Sequence, residues 1–136
     1  MNQNEVIEYI TENACFPGKM KAKVLSFLQY MESEQDDHYY PLTKIKKISG
    51  LDTFRSMDLA RFFCSARVSM LEPKYVYITY DDDVVEISKT DFNTGLKISS
   101  ESLKTEDGIL IENFNSKRLK FYFIRKTEVR YEEYEW

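Results

Sequence analysis

The chain has 136 residues, 43% hydrophobic and 15% aromatic, with a formal net charge of −4. That is the size of one ordinary domain, long enough to bury about two-thirds of its unfolded surface without a metal or disulfide framework. Two distant cysteines, Cys15 and Cys64, read as reduced residues, and neither a secretory leader pattern nor an apolar run of spanning length is present, so a soluble cytoplasmic protein with no membrane association is expected.

The charge is unevenly spread. Residues 1–38 carry 3 basic and 7 acidic side chains, residues 39–80 carry 7 and 3, and residues 81–136 carry 9 and 13, giving −4, +4 and −4. Salt screens charges beyond about 8–10 Å, so an acidic protein can still present a basic face to phosphate.

Asn4 to Ala14, with Val6, Ile7 and Ile10 among acidic residues, predicts a short amphipathic helix that Phe16-Pro17-Gly18 interrupts. From Lys19 to Glu34, Met20, Val24, Phe27, Leu28 and Met31 keep helical spacing and predict a scaffold helix. Lys19, Lys21 and Lys23 fall in its first turn, where the helix dipole disfavours cations. Glu32 to Asp37 reads as an acidic loop, and His38, the sole histidine, has no companions at metal-ligand spacing.

Pro41 to Leu51 predicts a short basic helix. Proline suits a helix start, Gly50 suits a left-handed end, Leu42, Ile45 and Ile48 form an apolar stripe, and Lys44, Lys46 and Lys47 are left outward. A second helix is expected over Ser56–Leu71, capped by Asp52 or Ser56. Met57, Ala60, Cys64, Val68 and Leu71 share one side, Leu59, Phe63, Ala66 and Met70 make a second apolar stripe, and Asp58, Arg61, Ser65 and Ser69 make a narrow polar face. Glu72-Pro73 stops the helix. Lys74–Tyr80 and Val84–Ser88, joined by Asp81-Asp82-Asp83, predict a β-hairpin.

Ile48-Ser49-Gly50-Leu51-Asp52, with a helix on each side, resembles the turn of helix-turn-helix proteins, and the order through Ser88 resembles the winged helix-turn-helix superfamily over residues 40–88. That resemblance implies an α+β fold with the hairpin as the wing. Lys46 stands where the usual turn has a small residue, and Ser56 where it has an apolar one with Met57 next, which predicts a turn lengthened by one residue.

Beyond the hairpin, Lys89–Gly95 reads as a loop, Leu96–Ile98 as a short strand and Ser99–Gly108 as a polar link. Ile109–Glu112 and Leu119–Ile124 predict a second hairpin, with Leu119, Phe121 and Phe123 inward. The acidic aromatic stretch Glu128–Trp136 has two readings: a last element covering the core, or a peptide that docks in a partner.

Phosphate-binding glycine loops, zinc spacings and nucleophile elbows are all missing, and Glu86 and Lys89 are misspaced for a nuclease-like carboxylate site beside Asp81–Asp83. The expectation is therefore a non-enzymatic DNA-binding protein without cofactor, acting with a protein partner or as a homodimer. Lys44, Lys46, Lys47 and Arg55 are assigned to phosphates, and Arg61 and Ser65 to base edges. The alternative is an adaptor that meets protein through Tyr131, Tyr134, Trp136 and the turn Asp81, Asp82, Asp83.

Overall fold

The computed structural model describes Glu5, Glu8, residues 18–98 and residues 101–126. Cys15 and most of the expected first helix lie outside the described residues, while Glu5 and Glu8 within it are helical. The protein is α+β, and its chain clusters into two compact units, Met1–Glu72 with Phe123–Trp136, and Pro73–Tyr122.

Unit 1 begins with α1, Gly18–Ser33, whose Met20, Val24, Phe27, Leu28 and Met31 are all buried, as their spacing predicts. A turn leads to the two-residue strand β1, Tyr39–Tyr40. Helix α2, Leu42–Ser49, follows Pro41, whose ring supplies the extended cap geometry with φ of −67°, and ends at Gly50 with φ of 72°. Burial centres on Ile45 and Ser49, with Leu42 and Ile48 only half-buried, so the inward stripe lies one step round from the expected one.

Helix α3 runs Thr53–Cys64, three residues earlier at its start and seven earlier at its end than expected. Of the two candidate caps, Asp52 acts, its carboxylate accepting the Arg55 amide at 2.8 Å. Ser56 is fully buried and its hydroxyl donates to the Leu51 carbonyl at 3.4 Å. The inward positions are thus Ser56, Leu59, Ala60 and Phe63, and Gly50-Leu51-Asp52 is a turn with no extra residue. The expectation failed because a small hydroxyl that bonds its own turn fills an apolar place without an unpaired polar group.

The helix stops at Ser65, whose hydroxyl donates to the Phe62 carbonyl at 2.7 Å and accepts the Val68 amide at 3.4 Å. Side-chain bonds of this kind compete with helix continuation. The Met70 amide turns back to the Phe63 carbonyl at 2.9 Å, and Leu71 opens strand β2, Leu71–Ile78. Phe27 lies at the centre of unit 1, edge-on to Tyr40 at 5.8 Å and to Phe63 at 5.1 Å between ring centroids.

Strand β6, Leu119–Arg125, returns to unit 1 and pairs antiparallel with β1, Tyr39 opposite Ile124 and Tyr40 opposite Phe123. Arg125 then spreads its guanidinium over four oxygens. Nη2 donates to the carbonyls of Met31 at 2.7 Å and Glu34 at 3.2 Å and to the Tyr40 hydroxyl at 3.1 Å, and Nε donates to the Asp37 carbonyl at 3.2 Å.

In unit 2, β2 pairs antiparallel with β3, Val84–Ile87, in the register Tyr75 to Ile87 through Ile78 to Val84. This is the hairpin expected from the sequence. The loop and strand expected over Lys89–Ile98 are instead helix α4, Lys89–Lys97, started by Ser88, which accepts the Asp91 amide at 3.0 Å. A serine followed three residues later by a carboxylate is a helix-start signal. The polar link contains β4, Ser102–Lys104, which pairs with β5, Leu110–Glu112, as a separate two-stranded sheet. The second hairpin therefore spans residues 102–112, and after a 3₁₀ turn at Ser116–Arg118 the chain enters β6.

Tyr77, Ile87, Leu103, Ile111, Phe114 and Leu119 form the core of unit 2. Tyr77 stacks on Phe114 at 5.2 Å and its hydroxyl accepts the Asn115 amide at 3.0 Å. Leu119 faces inward as its alternation predicts, while Phe121 is only half-buried and meets Phe92 edge-on at 6.0 Å.

Two substitutions test this packing. Gly-to-Ala inside a helix ordinarily stabilises by about 1 kcal/mol, but a methyl on Gly95 would lie 2.9 Å from both Leu119 Cδ1 and Phe114 Cζ. Overpacking costs about 1–3 kcal/mol, so Gly95→Ala should lower the urea midpoint, and a raised midpoint would show that the core yields. Arg125→Met strips charged donors from four oxygens and should destabilise by about 2–3 kcal/mol. Arg125→Lys should recover less than half of that in the same denaturation series, because an ammonium cannot reproduce the planar fork.

Candidate nucleic-acid interface

Lysine on a short helix is ordinarily a solvated charge, and three lie on α2. Lys44 is the exception, with its side chain only 26% exposed. Its Nζ is hydrogen-bonded to the Asp37 carboxylate, donates to the Tyr39 carbonyl at 2.9 Å, and sits 4.8 Å from the centroid of the Tyr40 ring. The Tyr30 hydroxyl donates to the same carboxylate at 2.8 Å. Lys44 is thus part of the frame that joins α1, the acidic loop and α2.

The electrostatics follow from that frame. The hydrogen bond from Lys44 holds the Asp37 carboxyl below its usual range, against a smaller opposing effect of desolvation. The hydrogen bond to that carboxylate, then desolvation, pushes the Tyr30 phenol up to about 12. Lys46 is half-buried and its carbonyl accepts the Gly50 amide, while Lys47 is exposed. Between α1 and α2 opens a groove of 820 Å³, lined among others by Ser26, Tyr30, Ser33, Lys44, Lys47 and Ile48.

On α3 the inward row fixes the outward one. Phe54, Asp58 and Arg61 lie opposite the buried residues, with Arg55 at their flank. The Arg55 side chain is 60% exposed and 3.9 Å from Asp52, and that of Arg61 is 68% exposed and 3.4 Å from Asp58. Exposed pairs of this kind contribute about 0–1 kcal/mol and exchange partners readily. Phe54 is 75% exposed at the first turn. It is the residue that sequence reasoning missed, although a phenylalanine on the polar side of an amphipathic helix is a readable signal.

Ser65 stands beyond the end of α3 with its hydroxyl engaged in the cap, so the structure separates it from Arg55 and Arg61. Asp81, Asp82 and Asp83 form the exposed β2–β3 turn of unit 2, where Asp82 has φ of 63° and lies 3.6 Å from Arg118. Arg118 also donates to the Thr79 carbonyl at 2.9 Å. Tyr131, Tyr134 and Trp136 lie outside the described residues. Among the described residues, no group of histidine, cysteine or carboxylate side chains could hold a metal ion, and no helix is long and apolar enough to cross a membrane. Cys64 is free and half-buried, its thiol pushed up to about 11 by burial and, less, by Glu72.

The Lys44–Asp37 contact predicts a pH signature. Because the folded carboxyl titrates below its unfolded value of about 3.9, the contact stabilises above that pH and is lost as pH falls through the depressed folded value. Thermal midpoints of the wild type should exceed those of Asp37→Asn at pH 6, and the gap should narrow as the pH is lowered beneath the ordinary carboxylate range.

No family model matches this chain, and neither a curated protein nor a solved structure matches it.

Proposed function

We propose that the protein is a non-enzymatic, duplex-DNA-binding protein of the winged helix-turn-helix type, with α3 as the helix that enters the major groove. The observation that carries this reading is the pair of exposed arginines on α3, Arg55 and Arg61, directly after a left-handed glycine turn that follows the lysines of α2. In helix-turn-helix docking the N-terminal residues of the second helix meet base edges while the first helix crosses the backbone. Arg55, in the first turn of α3, then takes a base edge, Arg61 lies further along the same helix, and Lys46 and Lys47 take phosphates. Lys44 and Ser65 are withdrawn from these roles because their polar atoms are already engaged.

A second reading has one observation in its favour. Asp58 interrupts the cationic row beside an exposed phenylalanine, a mixture that suits a protein partner better than a phosphate backbone. On that reading the protein is an adaptor.

Anisotropy titrations with mixed duplex DNA at several salt concentrations separate the two. Binding should weaken with salt, Lys47→Ala should reduce the salt slope by about one, and Arg55→Ala should cost about 1–3 kcal/mol. Ser65→Ala should lower thermal stability and leave the salt slope unchanged. Absence of salt-dependent affinity at low salt would end the DNA reading, and a stoichiometric protein lost on Phe54→Ala would establish the adaptor.

A further inference from the structure

The groove between α1 and α2 has an apolar wall in Ile48, phenol and hydroxyl groups in Tyr30 and Ser33, and an exposed cation in Lys47. Its natural complement is an extended peptide bearing aromatic rings and carboxylates. Residues 127–136, outside the described residues, supply four glutamates against one arginine, together with Tyr131, Tyr134 and Trp136. Their starting point lies close by. Arg125, two residues before the segment, donates to the Met31 and Glu34 carbonyls at the end of α1 where Tyr30 and Ser33 stand. Arg125 and the groove residue Lys44 lie on one tyrosine, 5.9 Å and 4.8 Å from the Tyr40 ring centroid. A ten-residue segment extends up to about 33 Å, so reach is not limiting, and tethering gives it an effective concentration on the order of millimolar.

We infer that the α1–α2 groove binds the chain's own segment 127–136, with its aromatic rings against Tyr30 and Ile48 and its glutamates at Lys47. The docking stands on groove chemistry, charge and tether length, independently of the nucleic-acid reading. Because Lys47 belongs to both, the docked segment competes with any anionic ligand that reaches along α2.

Trp136 is the single tryptophan of the sequence, so its emission reports the segment directly in the full chain. Relative to a free synthetic peptide of residues 127–136, the full chain should show blue-shifted emission and reduced acrylamide quenching. Lys47→Glu should return both towards the peptide values while far-ultraviolet circular dichroism stays unchanged. Adding Glu132→Lys and Glu133→Lys to Lys47→Glu should restore the shift, since the opposed charges are then exchanged. Peptide-like emission in the wild type overturns the inference. So does a blue shift that survives Lys47→Glu, which places the segment elsewhere, or one that grows with protein concentration, which places it on a second copy.

Discussion

The Arg125 guanidinium is the contact on which unit 1 depends. The last carbonyls of a helix have no partner within it, and α1 ends against a loop whose own carbonyls need donors. One planar side chain meets Met31, Glu34, Asp37 and the Tyr40 hydroxyl together. It arrives from more than eighty residues downstream, so the end of α1, the acidic loop and β1 are completed only when β6 is in place. Closing so long a loop costs entropy that rises only slowly with its length, by about 0.6 kcal/mol per doubling. The insertion of residues 73–122 between Glu72 and Phe123 is therefore tolerable as long as the clamp forms.

The same corner of the molecule decides what the basic helix can do. Counting lysines treats Lys44, Lys46 and Lys47 alike. Their surroundings do not. Lys44 is drawn to Asp37 and the tyrosine rings, Lys46 is half-buried, and Lys47 alone is fully presented. A local excess of +4 over residues 39–80 is thus an upper bound on the cation a ligand meets, since Asp52 and Asp58 also stand beside the arginines of α3. What survives is compact: an aromatic ring, two arginines and a lysine near one glycine turn. Its charge is mixed, with Asp52 and Asp58 set among the cations.

Unit 2 is organised by different means. Its core rests on the stacked Tyr77 and Phe114, and α4 approaches so closely at Gly95 that a methyl has no room. Asp91 is buried there and satisfied, both oxygens accepting the Glu106 amide at 3.1 and 3.2 Å. In this setting the carboxylate is a loop anchor. The acidic β2–β3 turn likewise has a local role, since Arg118 holds Asp82 and the Thr79 carbonyl together.

The sequence by itself determined the elements whose signals are local. The 3.6-residue spacing of Met20 to Met31 places α1, Pro41 and Gly50 bracket α2, and the aromatic and β-branched run before Asp81 makes the β2–β3 hairpin. Each depends on neighbours within a few residues, which periodicity and backbone preference report. Tertiary structure decided the rest. Whether Leu71 ends a helix or opens a strand was settled by Ser65 capping and by the pairing of β2. Which segment β5 pairs with was settled by Ser102–Lys104, a stretch with little strand signal of its own. Lys44 and Ser65 are turned away from the arginines of α3 to partners of their own, Asp37 and Tyr40 for the one and Phe62 for the other. The physical reason is common to all three cases: a side chain's hydrogen bonds are spent on whatever the fold brings near, and a linear pattern does not record those neighbours.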